Sequence, residues 1–384
     1  MVTLRETVKT AIAGLGYYTG ALGVVGWIGE RLHGRGCAIL TYHRVLCREE
    51  AAAEPDPGLV TTVETFRAHM ECIAERYTPV PLSEAVARLG RGAPLPRRAC
   101  AVTFDDGWRD NFRNAYPILR EIGIPATIFV ATSYVGTERP LWTRRAAHVI
   151  GEALRRGEAR LVQDALDQDG PGLSSPAIGT SHGVKPIVSL LKRLPAGRRE
   201  RIVSGIAAAL GCASVGDSWL TWDELRHMSE RGVAVGSHTR THAILIAESP
   251  ERVRDELAGS RADIETHVGA APVAFCYPDG AWDERVEAMV RDTGYACACS
   301  TDPGMARAGG NPYHLPRIAA DERMAQGVGR GFSPAMLTLQ AMGGFRTVAG
   351  LRRDRHQVVE PERRGATGEG DEPADTLAAM ERHR

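Results

Sequence analysis

From Cys37 onward, short apolar runs alternate with helical segments, and this rhythm constrains the fold more than any other feature of the chain. The runs fall at 38–42, 101–104, 126–130, 233–235, 273–277, 295–300 and 315–318. Between them, Phe112, Ala115, Tyr116 and Leu119 share one helical face. Thr221 and Glu224 have the spacing of a capping box, and Gly232 is placed to end that helix. Ser249-Pro250 opens another helix with Val253, Leu257, Ile264 and Val268 as its buried stripe, and a further one is expected over 282–293. Strand followed by helix, repeated, predicts parallel strands covered by helices, as an open sheet or a barrel. In either case the chemistry gathers at the carboxyl ends of the strands.

The rhythm breaks over about 138–218, where helical, Arg-rich and Gly/Pro-rich pieces suggest an insertion in a domain spanning 37–325. A short helical extension is expected over 326–345. The charged tail 346–384 has too few core residues to fold and reads as disordered. At the other end, residues 1–36 contain a stretch, 10–29, with no charge and six glycines. The glycines dilute its hydrophobicity, and basic residues flank both sides, so neither a clear span nor a cleavable signal emerges. We read it as a helix packed on the domain or making peripheral contact with a membrane, with a true span as the alternative.

Charge and cysteine content narrow the function classes. Forty-seven Lys and Arg balance 47 Asp and Glu, which argues against a dedicated nucleic-acid binder. No Gly-rich phosphate loop or dinucleotide fingerprint follows any strand. The eight cysteines are scattered, mostly within apolar runs, and read as small core hydrophobes in a reducing compartment, on the cytoplasmic side or tethered to a membrane. Cys297-x-Cys299 could bind a metal, but strand alternation sends both side chains to one face, and packing inward is the reading adopted.

Three segments place polar groups directly after apolar strands. Asp105-Asp106 in Thr-Phe-Asp-Asp-Gly sets two carboxylates side by side at the end of a buried strand, an arrangement that calls for a neutralising cation. Taken alone it would be a helix cap. In Ser-His-Thr-Arg-Thr-His, His238 and His242 are four apart, on one side of a helical turn, so both imidazoles can meet one ion. Two His and one carboxylate suit a divalent metal with open positions. Tyr277-Pro278-Asp279-Gly280 is by itself a turn, or a rigid frame that aims a backbone N–H.

The order of these motifs resembles the polysaccharide deacetylase family, which includes nodulation-type chitooligosaccharide deacetylases. Ile39 to Val45 and Leu315-Pro316-Arg317-Ile318 strengthen the resemblance, which covers roughly 37–325. It implies a distorted (β/α) barrel with an inserted helical segment, and metal-dependent removal of acetyl groups from an N-acetylated glycan. It implies Asp105 as the catalytic base, Asp106, His238 and His242 as metal ligands, and the Asp279 N–H in an oxyanion hole. The implied cofactor is a divalent ion, zinc first, with cobalt, nickel or manganese as alternatives.

Two features depart from the family pattern. The Arg usually found shortly before the proline is missing, and its task of orienting the base is assigned to Arg317. The usual Leu-x-His that supplies the general acid is also absent. Some biofilm-polysaccharide deacetylases resemble a permuted version with that strand in front, which assigns the role to His43. His314 is disfavoured because the start of a strand should lie at the opposite end of the barrel. An O-acetyl carbohydrate esterase and an inactive carbohydrate-binding relative are the competing functions; the second would be expected to lack the base or a ligand.

Overall fold

The computed structural model describes residues 4–24, 30–31, 34–168, 183–212, 216–326 and 332–341. Seven strands form its centre: β1 (Gly36–Tyr42), β2 (Ala99–Phe104), β3 (Ala126–Val130), β4 (Val233–Ser237), β5 (Ala274–Cys276), β6 (Cys297–Pro303) and β7 (Leu315–Ala319). They run parallel in chain order, and β1 closes the ring by pairing with both β2 and β7. The β1–β2 register is continuous from Cys37 opposite Ala99 to Tyr42 opposite Phe104. Elsewhere the wall is irregular. β4 and β5 share the pair Ser237 and Phe275, and the β6–β7 register slips between Leu315 and Arg317. The fold is therefore a distorted (β/α) barrel.

Alternation along the strands divides the core in two. Ala38, Leu40, Tyr42, Val102, Phe104, Ile128 and Val130 face outward into the helical layer, where Phe66, Met70, Ile73 and Leu119 cover them. Cys37, Ile39, Ala99, Ala101, Ala274, Cys276, Cys297 and Cys299 belong to a second cluster, the barrel interior, with Phe129 as its large filler. A β-carbon at Gly236 would lie 2.5 Å from the Phe129 ring, so the ring owes its place to the missing side chain. Cys297 and Cys299 are thus buried free thiols packed inward, as strand alternation requires.

Between β3 and β4, the helices Trp142–Arg155, Ala159–Gln168, Val184–Leu191 and Ala196–Leu210 gather round an apolar core of their own. Ile244 and Ala281, from the loops after β4 and β5, join that core, so this helical unit is seated on the barrel mouth. The N-terminal helix Leu4–Tyr18 packs through Ala13 on the helix Pro334–Ala341, against Ala335, Met336 and Leu339. The tail 346–384 lies outside the described residues.

Some boundaries differ from those expected. The capping box at Thr221 forms, with Thr221 Oγ1 accepting from Glu224 N and Glu224 reaching back to the Thr221 N–H. The helix expected over 282–293 spans Glu284–Asp292, because the Asp283 carboxylate accepts the Val286 N–H at 2.7 Å and sets the start there. A two-stranded sheet of Arg44–Leu46 and Val60–Thr62 was not anticipated; three-residue strands carry too little periodicity to be read.

Candidate active site

β2 delivers the two carboxylates and the backbone then separates them. Asp105 N–H donates to Tyr42 O at 3.0 Å, extending the β1–β2 ladder by one bond past the strand. Asp106 adopts φ +75 and Gly107 φ +89, a sharp left-handed turn that aims neighbouring carboxylates in different directions. A β-carbon at Gly107 would lie 3.0 Å from the Val130 side chain, which leaves little room for any other residue.

Asp105 faces the barrel axis and meets Arg317 from β7. The guanidinium binds it in a fork, Nη1 to Oδ1 at 2.8 Å and Nη2 to Oδ2 at 2.7 Å, while Nε donates to Ser300 O at 2.8 Å. Burial alone would raise the Asp105 carboxyl, but the Arg317 charge and its hydrogen bonds outweigh this and hold it below the usual range. Cys276 Sγ lies 3.6 Å from the same Oδ2 and accepts from Arg317 Nη2 at 3.1 Å, and burial pushes its thiol up to about 11. His43, at the end of β1, brings Nε2 to 3.9 Å from Asp105 Oδ2, with its side chain partly open to solvent. Asn111 Nδ2 holds the His43 carbonyl at 2.8 Å.

Asp106 faces the two histidines of the loop after β4. Its Oδ1 lies 3.5 Å from His238 Nε2 and 3.3 Å from His242 Nε2, and its Oδ2 accepts from Trp108 Nε1 at 2.9 Å. Burial would raise this carboxyl too, yet the two imidazoles hold it well below the ordinary range. The histidines do not sit on a helical turn, as their spacing suggested. Thr239 and His242 have φ +65 and +55, so the loop curls back on itself and sets the two rings 4.8 Å apart. Glu256 stabilises this curl. Fully buried on the helix Pro250–Val268, it accepts from Arg240 N at 2.7 Å, Thr241 N at 2.8 Å and Thr241 Oγ1 at 2.6 Å. Trp142 of the inserted helices adds a bond from Nε1 to His242 O at 2.9 Å.

The remaining candidates sit around this pair of clusters. Asp279 occupies the turn after β5 with φ +59; its side chain pairs with Lys192 of the inserted unit, and the Gly280 and Ala281 amides close the turn on Tyr277 O and Pro278 O. His314 bonds Asp302 and packs on Trp282 at 4.1 Å. It directly precedes β7, where Leu315 pairs with Cys299 and Ile318 with Leu40. The lower half of β1 is paired instead by the short strand Ala306–Arg307.

Sequence reasoning missed the supports. Trp108 is stacked on Trp219 at 4.3 Å, with the Arg44 and Arg144 guanidinium carbons 4.5 and 5.3 Å from its ring centre. Arg44 also binds Glu54 and Asp110, and Arg144 binds Glu54 and Asp217. One of these residues left a signal: Glu256 occupies a core position in the stripe Val253, Leu257, Ser260, Ile264, where a carboxylate demands partners.

Comparison with known proteins agrees with this geometry. The family model for polysaccharide deacetylase matches residues 92–167 and 178–298, more than half of the chain. YxkH of Bacillus subtilis (strain 168), a protein named for the same family, is 22% identical over 261 residues. That match covers 68% of this chain and 65% of YxkH, so the chain spans just under two thirds of that relative. Among solved structures, the Streptococcus pyogenes deacetylase PplD in complex with acetate superposes with TM-score 0.53 at 19% identity, covering 80% of this chain and 98% of that one. BC0361, a polysaccharide deacetylase from Bacillus cereus, gives TM-score 0.51 at 17% identity, covering 80% and 69%. These two likenesses speak to the fold alone. The matched span includes Asp105, Asp106, His238, His242 and the Pro278–Gly280 turn but neither His43 nor Arg317, which enter on the strands that close the ring. By its motifs, its barrel and the extent of that match, the chain belongs to the polysaccharide deacetylase family.

Proposed function

We propose that this protein is a cation-dependent amidohydrolase that removes N-acetyl groups from an amino-sugar glycan, with Asp105 as general base and His43 as general acid. The observation that carries the reading is a buried three-donor cluster beside an Arg-clamped carboxylate, at the mouth of a barrel.

The donor set fits a divalent ion. Ligand atoms of Asp106, His238 and His242 lie within 4.8 Å of one another and all three residues are buried. His238 Nδ1 lies 2.7 Å from Cys276 O, so that nitrogen donates to the carbonyl and Nε2 is the atom that would face an ion. Two imidazole nitrogens and one carboxylate oxygen with open positions favour zinc. Bound there, such an ion would supply Lewis acidity, making water more acidic and the acyl oxygen more electrophilic.

The chain's own groups supply the rest. Asp105 accepts the proton of the attacking water; Arg317 fixes its orientation and keeps it ionised. The Asp279 N–H is assigned to the oxygen on which negative charge develops, through the main chain because Lys192 occupies the side chain. An amine anion is too basic to leave, so a proton must reach the sugar nitrogen, and His43, an imidazole outside the donor cluster with Nε2 3.9 Å from Asp105 Oδ2, is assigned to deliver it. A separate acid favours amide over ester hydrolysis, because an alkoxide needs less help to depart.

Acetate release from N-acetylglucosamine oligomers, before and after metal stripping and zinc return, tests the reading. Activity should vanish and recover. Undiminished turnover in stripped protein, or release confined to O-acetylated sugars, would overturn it.

A further inference from the structure

The described side chains of the N-terminal segment divide between two faces. Ala13, Tyr17 and Leu22 pack on the domain, while Ile12, Leu15 and Tyr18 are 53%, 70% and 82% exposed. With Val24, at 57%, these are four of the six large hydrophobic side chains exposed among the described residues. A helix recruited only to the core would leave a polar outer face, not Ile12, Leu15 and Tyr18. Here they form an outward patch, the kind of surface that marks an interaction site.

The charges around this patch identify the occupant. Tyr17 lies 5.1 Å from the Arg76 guanidinium, which places the helix end at the amino end of the barrel. Arg35 and Arg98 directly precede β1 and β2, Arg97 stands beside them, and Arg307 pairs opposite Gly36 at the same end. Glu30, paired with Arg97, and Glu75 are acidic neighbours, leaving a basic excess round an uncharged apolar stretch with Arg5 and Lys9 before it. A second copy docked through a twofold axis would set these arginines against each other. No helix among the described residues is long and apolar enough to cross a membrane, and the exposed apolar side chains lie along the flank of this one. We propose that this face docks on an anionic lipid bilayer, with Ile12, Leu15, Tyr18 and Val24 entering the interface, the arginines meeting phosphates and the catalytic mouth pointing away.

Sedimentation of the full chain with phosphatidylcholine vesicles, with and without phosphatidylglycerol, tests this. The protein should pellet with the anionic vesicles, less so at high salt. The double variant Ile12→Glu/Leu15→Glu should bind at least roughly tenfold more weakly, since each change removes a buried apolar contact. Its acetate release from soluble oligomers should be unchanged, which shows that it folds and separates this outcome from failure of the catalytic reading. Equal pelleting of variant and parent, no pelleting with either vesicle, or a concentration-dependent dimer abolished by the same variant would overturn the proposal.

Discussion

Trp108 holds the outer oxygen of a proposed metal ligand, and Trp108→Phe isolates that one hydrogen bond. Phenylalanine keeps a ring between Trp219 and the Arg44 and Arg144 guanidiniums but has no N–H for Asp106 Oδ2. The carboxylate is buried, so water does not replace the lost donor. A hydrogen bond to a charged group contributes about 1.5–3 kcal/mol. Lost from the ligand-competent state, that is roughly 10- to 150-fold in affinity, matching the 10- to 100-fold that outer partners of metal ligands typically contribute. Zinc affinity measured by competition with a chromophoric chelator should fall within that range. Trp219→Phe serves as the control, because it removes comparable volume from the same stack while leaving the Trp108 donor in place; its own Nε1 serves Arg139 O. The reasoning fails if Trp108→Phe binds zinc as tightly as the parent, or if Trp219→Phe weakens binding equally.

Other substitutions separate the remaining roles. Asp105→Asn should retain zinc and fold while turnover drops by about 10²–10⁴; loss of metal in a dialysis assay would instead make Asp105 a ligand. His43→Ala should impair hydrolysis of an N-acetyl sugar far more than that of an activated aryl acetate, and equal losses on both would remove His43 as the acid. Arg317→Met leaves the buried Asp105 without its counter-charge, at a cost of about 3–5 kcal/mol in denaturant unfolding. The sign of the pH effect follows. Asp105 sits below its ordinary value in the folded chain, so its stabilising contribution is present above about pH 3.9 and is lost as pH falls through the folded value. Without Arg317, burial dominates, the folded value rises, and the acid limb of kcat/KM should move to higher pH; an unmoved limb counts against the clamp.

The sequence exposed what is local. Strand ends at 104, 237 and 276 each lead into a polar motif, and alternation correctly turned Cys297 and Cys299 inward. What depends on register was hidden. β7 pairs with β1 only through Ile318 and Ala319, and no periodicity within five residues encodes that register. The His-x-x-x-His spacing suggested a helical turn, whereas two positive φ values shape the loop, held by Glu256 from another element. The stacked Trp108 and its arginines are assembled from four separated segments, each unremarkable in isolation.

The ring is closed by its first and last barrel strands, and each brings one neighbour to Asp105: β1 carries His43, β7 carries Arg317. During synthesis, then, the carboxylates after β2 and the histidines after β4 emerge well before the guanidinium that clamps Asp105. A nascent chain ending before position 317 lacks both the strand that shuts the ring and the guanidinium that clamps Asp105. Under the proposed mechanism the clamp on Asp105 is completed only with the last piece of the barrel, so hydrolysis would report that the ring has shut.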